Sequence, residues 1–290
     1  MPRETSLVAR VLRIAALILH LLWVWLAARV FLPLVSSEMR SRIAMRWAAR
    51  MLRIFNLKVS VTGRRADSTQ PMLLVANHIS WLDIYALNSI EAWRFISKSE
   101  VASWPLFGTM AKQLGSIFHK RGDFRDAMRV ENTVAEQLKA GERIAFFPEG
   151  TTTEGRRIQF FYPALFQAAL DATAMVQPVA IRYLDARGVP SAAPAYAGDT
   201  SLLESIGAVL RHHELMAELT FALPIPARDI DRGSLAEAAR SSIANILDIR
   251  DLPPRPREVP WVEEAQPGSA DSQTLPPRLS SPGVAYRSAI

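Results

Sequence analysis

Seven short apolar runs punctuate the chain, at Leu57 to Val61, Met72 to Ala76, Trp93 to Ser97, Ser116 to His119, Ile144 to Phe147, Val176 to Arg182 and Leu215 to Leu223. Each has the length of a buried strand, and helix-like stretches lie between most of them. Asp126 to Leu138 spaces Met128, Val130, Val134 and Leu138 mainly at helical intervals, and Ser234 to Leu247 does the same with Leu235, Ala238, Ala239, Ile243 and Leu247. Strands that alternate with helices favour an α/β fold with a mostly parallel central sheet flanked by helices. At 290 residues and 49% hydrophobic content the chain can bury a full core, and one domain over residues 57–250 is the simplest division.

The second run leads straight into Asn77-His78-Ile79-Ser80-Trp81-Leu82-Asp83. A histidine near neutral pKa can take a proton from a hydroxyl, and a carboxylate beside it can fix its tautomer and stabilise the imidazolium. On an ideal helix five residues turn through about 140°, so His78 and Asp83 meet only if the histidine sits in the turn before the helix. Val75-Ala76-Asn77 supplies that entry. Ser80 reads as a turn or helix-cap hydroxyl rather than a nucleophile. The chain has no cysteine, which excludes a thiol nucleophile.

Three further blocks follow. Gly115-Ser116-Ile117-Phe118-His119-Lys120-Arg121 is an apolar run that ends in cations. Arg143 to Phe147 runs into Pro148-Glu149-Gly150-Thr151-Thr152-Thr153, a turn with a glycine, a carboxylate and three hydroxyls. Val176-Gln177-Pro178-Val179-Ala180-Ile181 is apolar and carries one proline. In order and type these four blocks resemble the glycerolipid acyltransferase family, whose members carry Asn-His-x-x-x-x-Asp, Gly-x-Ile-Phe-x-x-Arg, Phe-Pro-Glu-Gly-Thr and a final apolar block containing proline. The resemblance spans roughly Leu57 to Tyr183.

It implies that His78 is the general base and Asp83 its partner. It further implies that Arg121, Glu149, Gly150 and Thr151 hold the acyl acceptor, and that Pro178 lies near the acyl-donor region. The donor would be acyl-CoA or acyl-carrier protein, with no other cofactor and no metal. Acyl transfer from a thioester to an alcohol needs deprotonation, positioning and oxyanion stabilisation, with no covalent enzyme intermediate. The acceptor expected first is the sn-2 hydroxyl of 1-acylglycerol 3-phosphate. Two departures bear on it: Thr152 stands where the family often has arginine, and Tyr162 where many relatives have lysine. Both remove a partner for phosphate, although Arg156 and Arg157 follow nearby. Lyso-ornithine lipid is therefore the alternative acceptor, and a peripheral lipid-binding protein without turnover is the non-enzymatic one.

Ile14 to Val35 is almost continuously apolar, interrupted by His20, Arg29 and Pro33. As a helix it would be about 33 Å long, enough for a hydrocarbon core. His20 and Pro33 leave a spanning, re-entrant or interfacial helix all open. Met1 to Arg65 holds twelve Lys or Arg against Glu4 and Glu38, while the whole chain carries only +6, so everything after Arg65 is net acidic. Arg40, Arg42, Arg46, Arg50 and Arg53, mixed with Met39, Ile43, Met45, Trp47, Met51 and Leu52, suit an amphipathic helix on an anionic leaflet. The basic charge points to a membrane surface rather than nucleic acid, because it borders the apolar segment and no nucleic-acid motif is evident. Residues 1–56 are read as a membrane anchor, with the catalytic domain on the cytoplasmic side of the cell inner membrane.

From residue 251 to 290 prolines spread among Ser, Gln, Arg and Glu read as a disordered tail. Trp81, Trp93, Trp104 and Phe107 read as core or interfacial anchors, and Lys98 and Lys112 as solvated lysines. His212 and His213 lack a metal-like cluster.

Overall fold

A computed structural model describes residues 4–66, 70–103, 107–120 and 123–254, and the backbone but not the side chains of Phe107, Met110 and Phe124. Arg121, Trp104 and the tail beyond residue 254 lie outside the described residues. Eight strands form one sheet: β1 (Leu57–Gly63), β2 (Met72–Ala76), β3 (Arg94–Lys98), β4 (Ile117–His119), β5 (Arg143–Phe146), β6 (Met175–Asp185), β7 (Leu215–Phe221) and β8 (Ile225–Pro226). Their order is β1-β7-β6-β2-β5-β3-β4, with β8 pairing β6 at its start. All pairings are parallel except those of β6 with β7 and β8. The expected mostly parallel sheet is observed.

The helices are α1 (Leu7–Val30), α2 (Ser37–Ile54), α3 (Leu82–Ile90), α4 (Phe107–Gln113), α5 (Phe124–Lys139), α6 (Phe166–Asp171), α7 (Leu202–Arg211) and α8 (Arg232–Leu247). They cover both faces. Strand β2 is buried throughout, and its alternate residues enter two different cores. Leu74 and Ala76 join Met51, Leu52, Phe55 and Leu82 on the α2 and α3 side; Leu73 and Val75 join Val130, Val134, Phe166 and Ile243 on the α5, α6 and α8 side. A strand covered on both faces must be apolar at every position, which is why Met72 to Ala76 shows no alternation.

Pro178 occupies an interior strand position, normally closed to proline because it cannot donate to the ladder. On one side β6 pairs first with β8 at Met175 and Val176 and then with β7 from Val179 onward. The proline sits in the gap between the two partners, and its carbonyl accepts from the Ala222 N–H at 3.0 Å.

Helix α1 starts at a Ser6 cap, and the apolar helical stretch from Leu7 to Leu34 is long and apolar enough to cross a membrane by length and composition. It does not stand away from the domain. Leu17, His20, Val24, Ala27 and Ala28 form a buried stripe at helical spacing, and Val24, Ala27, Ala28 and Leu32 cluster with Trp47. At the other end the Arg13 guanidinium donates to the carbonyls of His212 (3.1 Å) and His213 (3.2 Å), and the Thr5 N–H to Arg211 O at 2.9 Å. The remaining face exposes Leu12, Leu19, Leu22, Trp23 and Leu26.

Helix α2 differs from expectation. Its apolar face, with Trp47, Met51 and Leu52, is buried within the protein, while Arg42, Arg46, Arg50 and Arg53 are exposed. The periodicity was that of an amphipathic helix, but the apolar surface it faces is α1 and α3 rather than a leaflet. Deleting residues 1–35 should therefore uncover Trp47 and take only Leu17, at the edge of α1, from the buried residues of the main core, whereas deletion to residue 53 also removes Met51 and Leu52 from it. Thermal unfolding in detergent micelles is expected to stay cooperative for the shorter deletion and to lose cooperativity for the longer.

Candidate active site

Where β2 ends, Asn77 carries the sheet's pairing onward with its side chain. Its amide donates to Ile181 O at 3.0 Å, and its oxygen accepts from Ile181 N at 2.7 Å. The backbone is thereby free to turn, and His78 lies in that turn before α3, as the five-residue spacing demands. Asp83 sits in the first turn of α3, where a carboxylate complements the exposed N–H groups. His78 Nδ1 and Asp83 Oδ2 are 2.8 Å apart.

That single oxygen also accepts from the N–H groups of Ile79 (2.7 Å) and Ser80 (2.9 Å). The other oxygen, Oδ1, accepts from the Tyr183 hydroxyl at 2.7 Å. Asp83 is fully buried and its carboxylate direction is fixed from four sides. The backbone donors leave the Nδ1 contact one assignment, with Nδ1–H donating to Asp83, so that it is Nε2 that carries the lone pair whenever the ring is neutral. His78 keeps 19% of its side chain exposed. Its ring stacks on Phe147, with centroids 3.8 Å apart and planes within 6°, and Phe147 stacks in turn near Phe95. Ser80 is buried, and its hydroxyl accepts from the Leu82 N–H at 3.2 Å, as a turn hydroxyl does.

The Pro-Glu-Gly block grips the histidine's backbone. Glu149 Oε1 accepts from the His78 N–H at 2.7 Å, and Thr153 N–H donates to the His78 carbonyl at 2.8 Å. Glu149 Oε2 accepts from Gln159 N–H at 2.8 Å, so both of its oxygens are engaged and only 2% of the residue is exposed. Gly150 has φ +68°, a conformation glycine enters without steric cost. Gly155 has φ +78°, a conformation side chains rarely adopt, and an added Cβ would lie 2.8 Å from Ile79 Cδ1, which would have to move.

The structure thus brings His78, Asp83, Glu149 and Gly150 together. Thr151 is on the exposed turn beside them. Arg121 falls outside the described residues, and Pro178 is buried in β6. Arg156 and Arg157 are exposed, and Thr152 Oγ1 is turned to the Tyr196 carbonyl. Sequence reasoning did not find Tyr183, Phe147 or Gln159 as site residues. Phe147 is adjacent to the Pro-Glu-Gly turn, a signal that could have drawn attention to it; Tyr183 lies 100 residues from Asp83 and offers none.

A family model described as Acyltransferase matches residues 58–182, the span holding all four blocks. A lyso-ornithine lipid O-acyltransferase of Pseudomonas aeruginosa is 39% identical over 81% of this chain and 90% of its own length. The chain belongs to the acyltransferase family. A 1-acyl-sn-glycerol-3-phosphate acyltransferase of Neisseria meningitidis is 32% identical over 73% of this chain and 85% of that protein. Among solved structures, the 1-acyl-sn-glycerophosphate (LPA) acyltransferase PlsC of Thermotoga maritima has a TM-score of 0.52 at 18% identity, over 81% of this chain and 96% of that one, and shares the fold. The protein is therefore an enzyme, an acyltransferase of the lysophospholipid family, and the non-catalytic lipid-binding alternative is set aside.

Burial pushes the Glu149 carboxyl up to about 7, against the pull of the Gln159 and His78 N–H groups; the Asp83 charge pushes the same way, and Arg240 opposes. Its folded-state pKa is thus raised above the unfolded one. The corresponding stability is fully present below the unfolded value, near 4.5, and is lost as the pH climbs to about 7. A Glu149→Gln variant should show a flatter dependence of its melting temperature on pH between 5 and 7 than the parent. It should also melt lower at pH 5, because the two N–H groups reach two different oxygens and in glutamine one of those positions is an NH2 that only donates.

Proposed function

We propose that the enzyme transfers an acyl chain from a thioester, acyl-CoA or acyl-carrier protein, to a lysolipid hydroxyl, with His78 as general base and Asp83 as its orienting partner. The observation that carries this is the imidazole itself, with Nδ1 tied to a buried carboxylate and the ring still open to solvent. Nε2 takes the proton of the acceptor hydroxyl as its oxygen attacks the thioester carbonyl. The tetrahedral oxyanion then collapses and expels the thiolate, which takes the proton back from Nε2. An ester and a thiol result, and no covalent enzyme intermediate or further cofactor enters.

The acceptor we favour is lyso-ornithine lipid. Ornithine offers a carboxylate and an ammonium, a head group with less negative charge than a phosphate monoester. Thr152 and Tyr162 replace cations at two positions of the motif region, and the relative at 39% identity bears that activity in its name. The second reading is 1-acylglycerol 3-phosphate, favoured by the relatives named for it and by the exposed Arg156 and Arg157. Glu149 in either case acts beneath the acceptor, holding His78, while Arg121, Gly150 and Thr151 remain the residues we assign to the head group and Pro178 to the donor side. We assign membrane docking to residues 1–56, through the exposed face of α1 and the arginines of α2, and catalysis to 57–250, with the Pro-rich tail 251–290 given no part in either. In this reading the site works at the cytoplasmic face of the inner membrane.

Incubating the purified enzyme with a labelled acyl thioester and a panel of lysolipids tests the acceptor. Lyso-ornithine lipid should be acylated well ahead of lysophosphatidic acid, and the reverse order would replace the favoured acceptor with the second. His78→Ala should lower turnover by at least about 100-fold while flotation on liposomes stays unchanged. Asp83→Asn should also impair turnover, since an amide cannot stabilise the imidazolium. Near-parental turnover in the His78 variant would defeat the mechanism.

A further inference from the structure

The two oxygens of Asp83 are unequally supplied. Oδ2 faces three donors, His78 Nδ1 and the N–H groups of Ile79 and Ser80, whereas Oδ1 has the Tyr183 hydroxyl as its partner among the described residues. Both side chains are deeply buried, with 2% of Tyr183 exposed and none of Asp83, so water does not replace the phenol. Burial and the Asp83 charge hold the phenol well above its usual pKa, which keeps it an O–H donor throughout the working range.

The fold delivers this contact by a difference in strand length. Strand β2 has five residues and β6 eleven, so β6 continues past the point where the backbone of β2 turns away. Asn77 bridges to Ile181 at that point. Tyr183, two residues further on, shares the face of Ile181, since strand side chains alternate. That face packs towards α3, which carries Asp83.

We infer that Tyr183 is a positioning residue for the dyad: its O–H on Oδ1 aims Oδ2 at His78 and moderates how strongly the carboxylate draws the imidazole proton. The inference rests on His78 being the base. Without the phenol, Oδ1 becomes a buried acceptor lacking a donor, the carboxylate is free to rotate about its Cβ–Cγ bond, and its negative charge is less dispersed. A more strongly attracting carboxylate favours the imidazolium and so keeps His78 protonated to higher pH. Acceptor and donor contacts are untouched.

The test measures kcat and KM against pH for Tyr183→Phe and for enzyme in which Tyr183 is replaced site-specifically by 3-fluorotyrosine, whose ring withdraws electrons and makes the hydroxyl a stronger donor. In Tyr183→Phe, kcat should fall about tenfold or more, the size of one charge-assisted hydrogen bond. KM should stay near the parent value, and the acidic limb of kcat/KM should move up by on the order of 0.5 pH unit. The fluorinated enzyme should keep the fold and move that limb the opposite way. A purely structural tyrosine would lower the melting temperature in Tyr183→Phe and leave both limbs unmoved, and that result overturns the inference. Should Tyr183→Phe fail to fold, the fluorinated enzyme alone decides, because an acidic limb coincident with the parent's also overturns it. His78→Ala, run alongside, separates the two layers: retained turnover there defeats the general-base reading, while an inactive His78 variant with an unshifted Tyr183 series defeats only the inference.

Discussion

One carboxylate oxygen organises the site. Asp83 Oδ2 gathers the imidazole Nδ1 and two consecutive backbone N–H groups within 2.9 Å, and so closes the turn between β2 and α3 around the histidine. The same contacts fix the turn that leads into α3 and orient the ring. The turn and the His78–Asp83 pair are thus held by one set of hydrogen bonds, and a change in one disturbs the other. A buried carboxylate is costly unless every oxygen finds donors. The donors here come from the turn itself and from a strand one hundred residues away.

The motif around Glu149 answers a different need. His78 belongs to a turn with no ladder of its own, so its peptide groups require outside partners. The Pro-Glu-Gly turn supplies both, through Glu149 to the N–H and Thr153 to the carbonyl. Two motifs some seventy residues apart are therefore halves of one cradle, which gives a physical reason for them to occur together. The stacked Phe147 adds a flat wall behind the ring from the last step of β5 into that turn.

Much of this was legible in the chain. The seven apolar runs correspond to β1 through β7 to within a few residues, because buried strands leave little freedom in composition, while two-residue β8 was too short to register. The His78 to Asp83 spacing told where the helix had to begin. Three things were not legible. Periodicity reveals that α2 has an apolar face but not whether protein or lipid covers it. A carboxylate in a turn looks the same whether it points outward to a ligand or, as Glu149 does, inward to backbone. Tyr183 reads as one more apolar position of a buried strand, since its partner is set by the overhang of β6 and not by any local pattern.

Helix α1 is fastened near both of its ends, by Arg13 and Thr5 to the segment 211–213 and by Val24, Ala27 and Ala28 to Trp47. A tether leaves its cargo free to tumble; a helix clasped in this way has no slack. Under the docking proposed above, the lipid that receives the exposed row of Leu12, Leu19, Leu22, Trp23 and Leu26 would meet the catalytic domain in a single attitude. The height of His78 above that lipid and the direction it faces would then be fixed properties of the molecule. On that docking, the search for the proposed lipid hydroxyl would be reduced from three dimensions to movement within a plane.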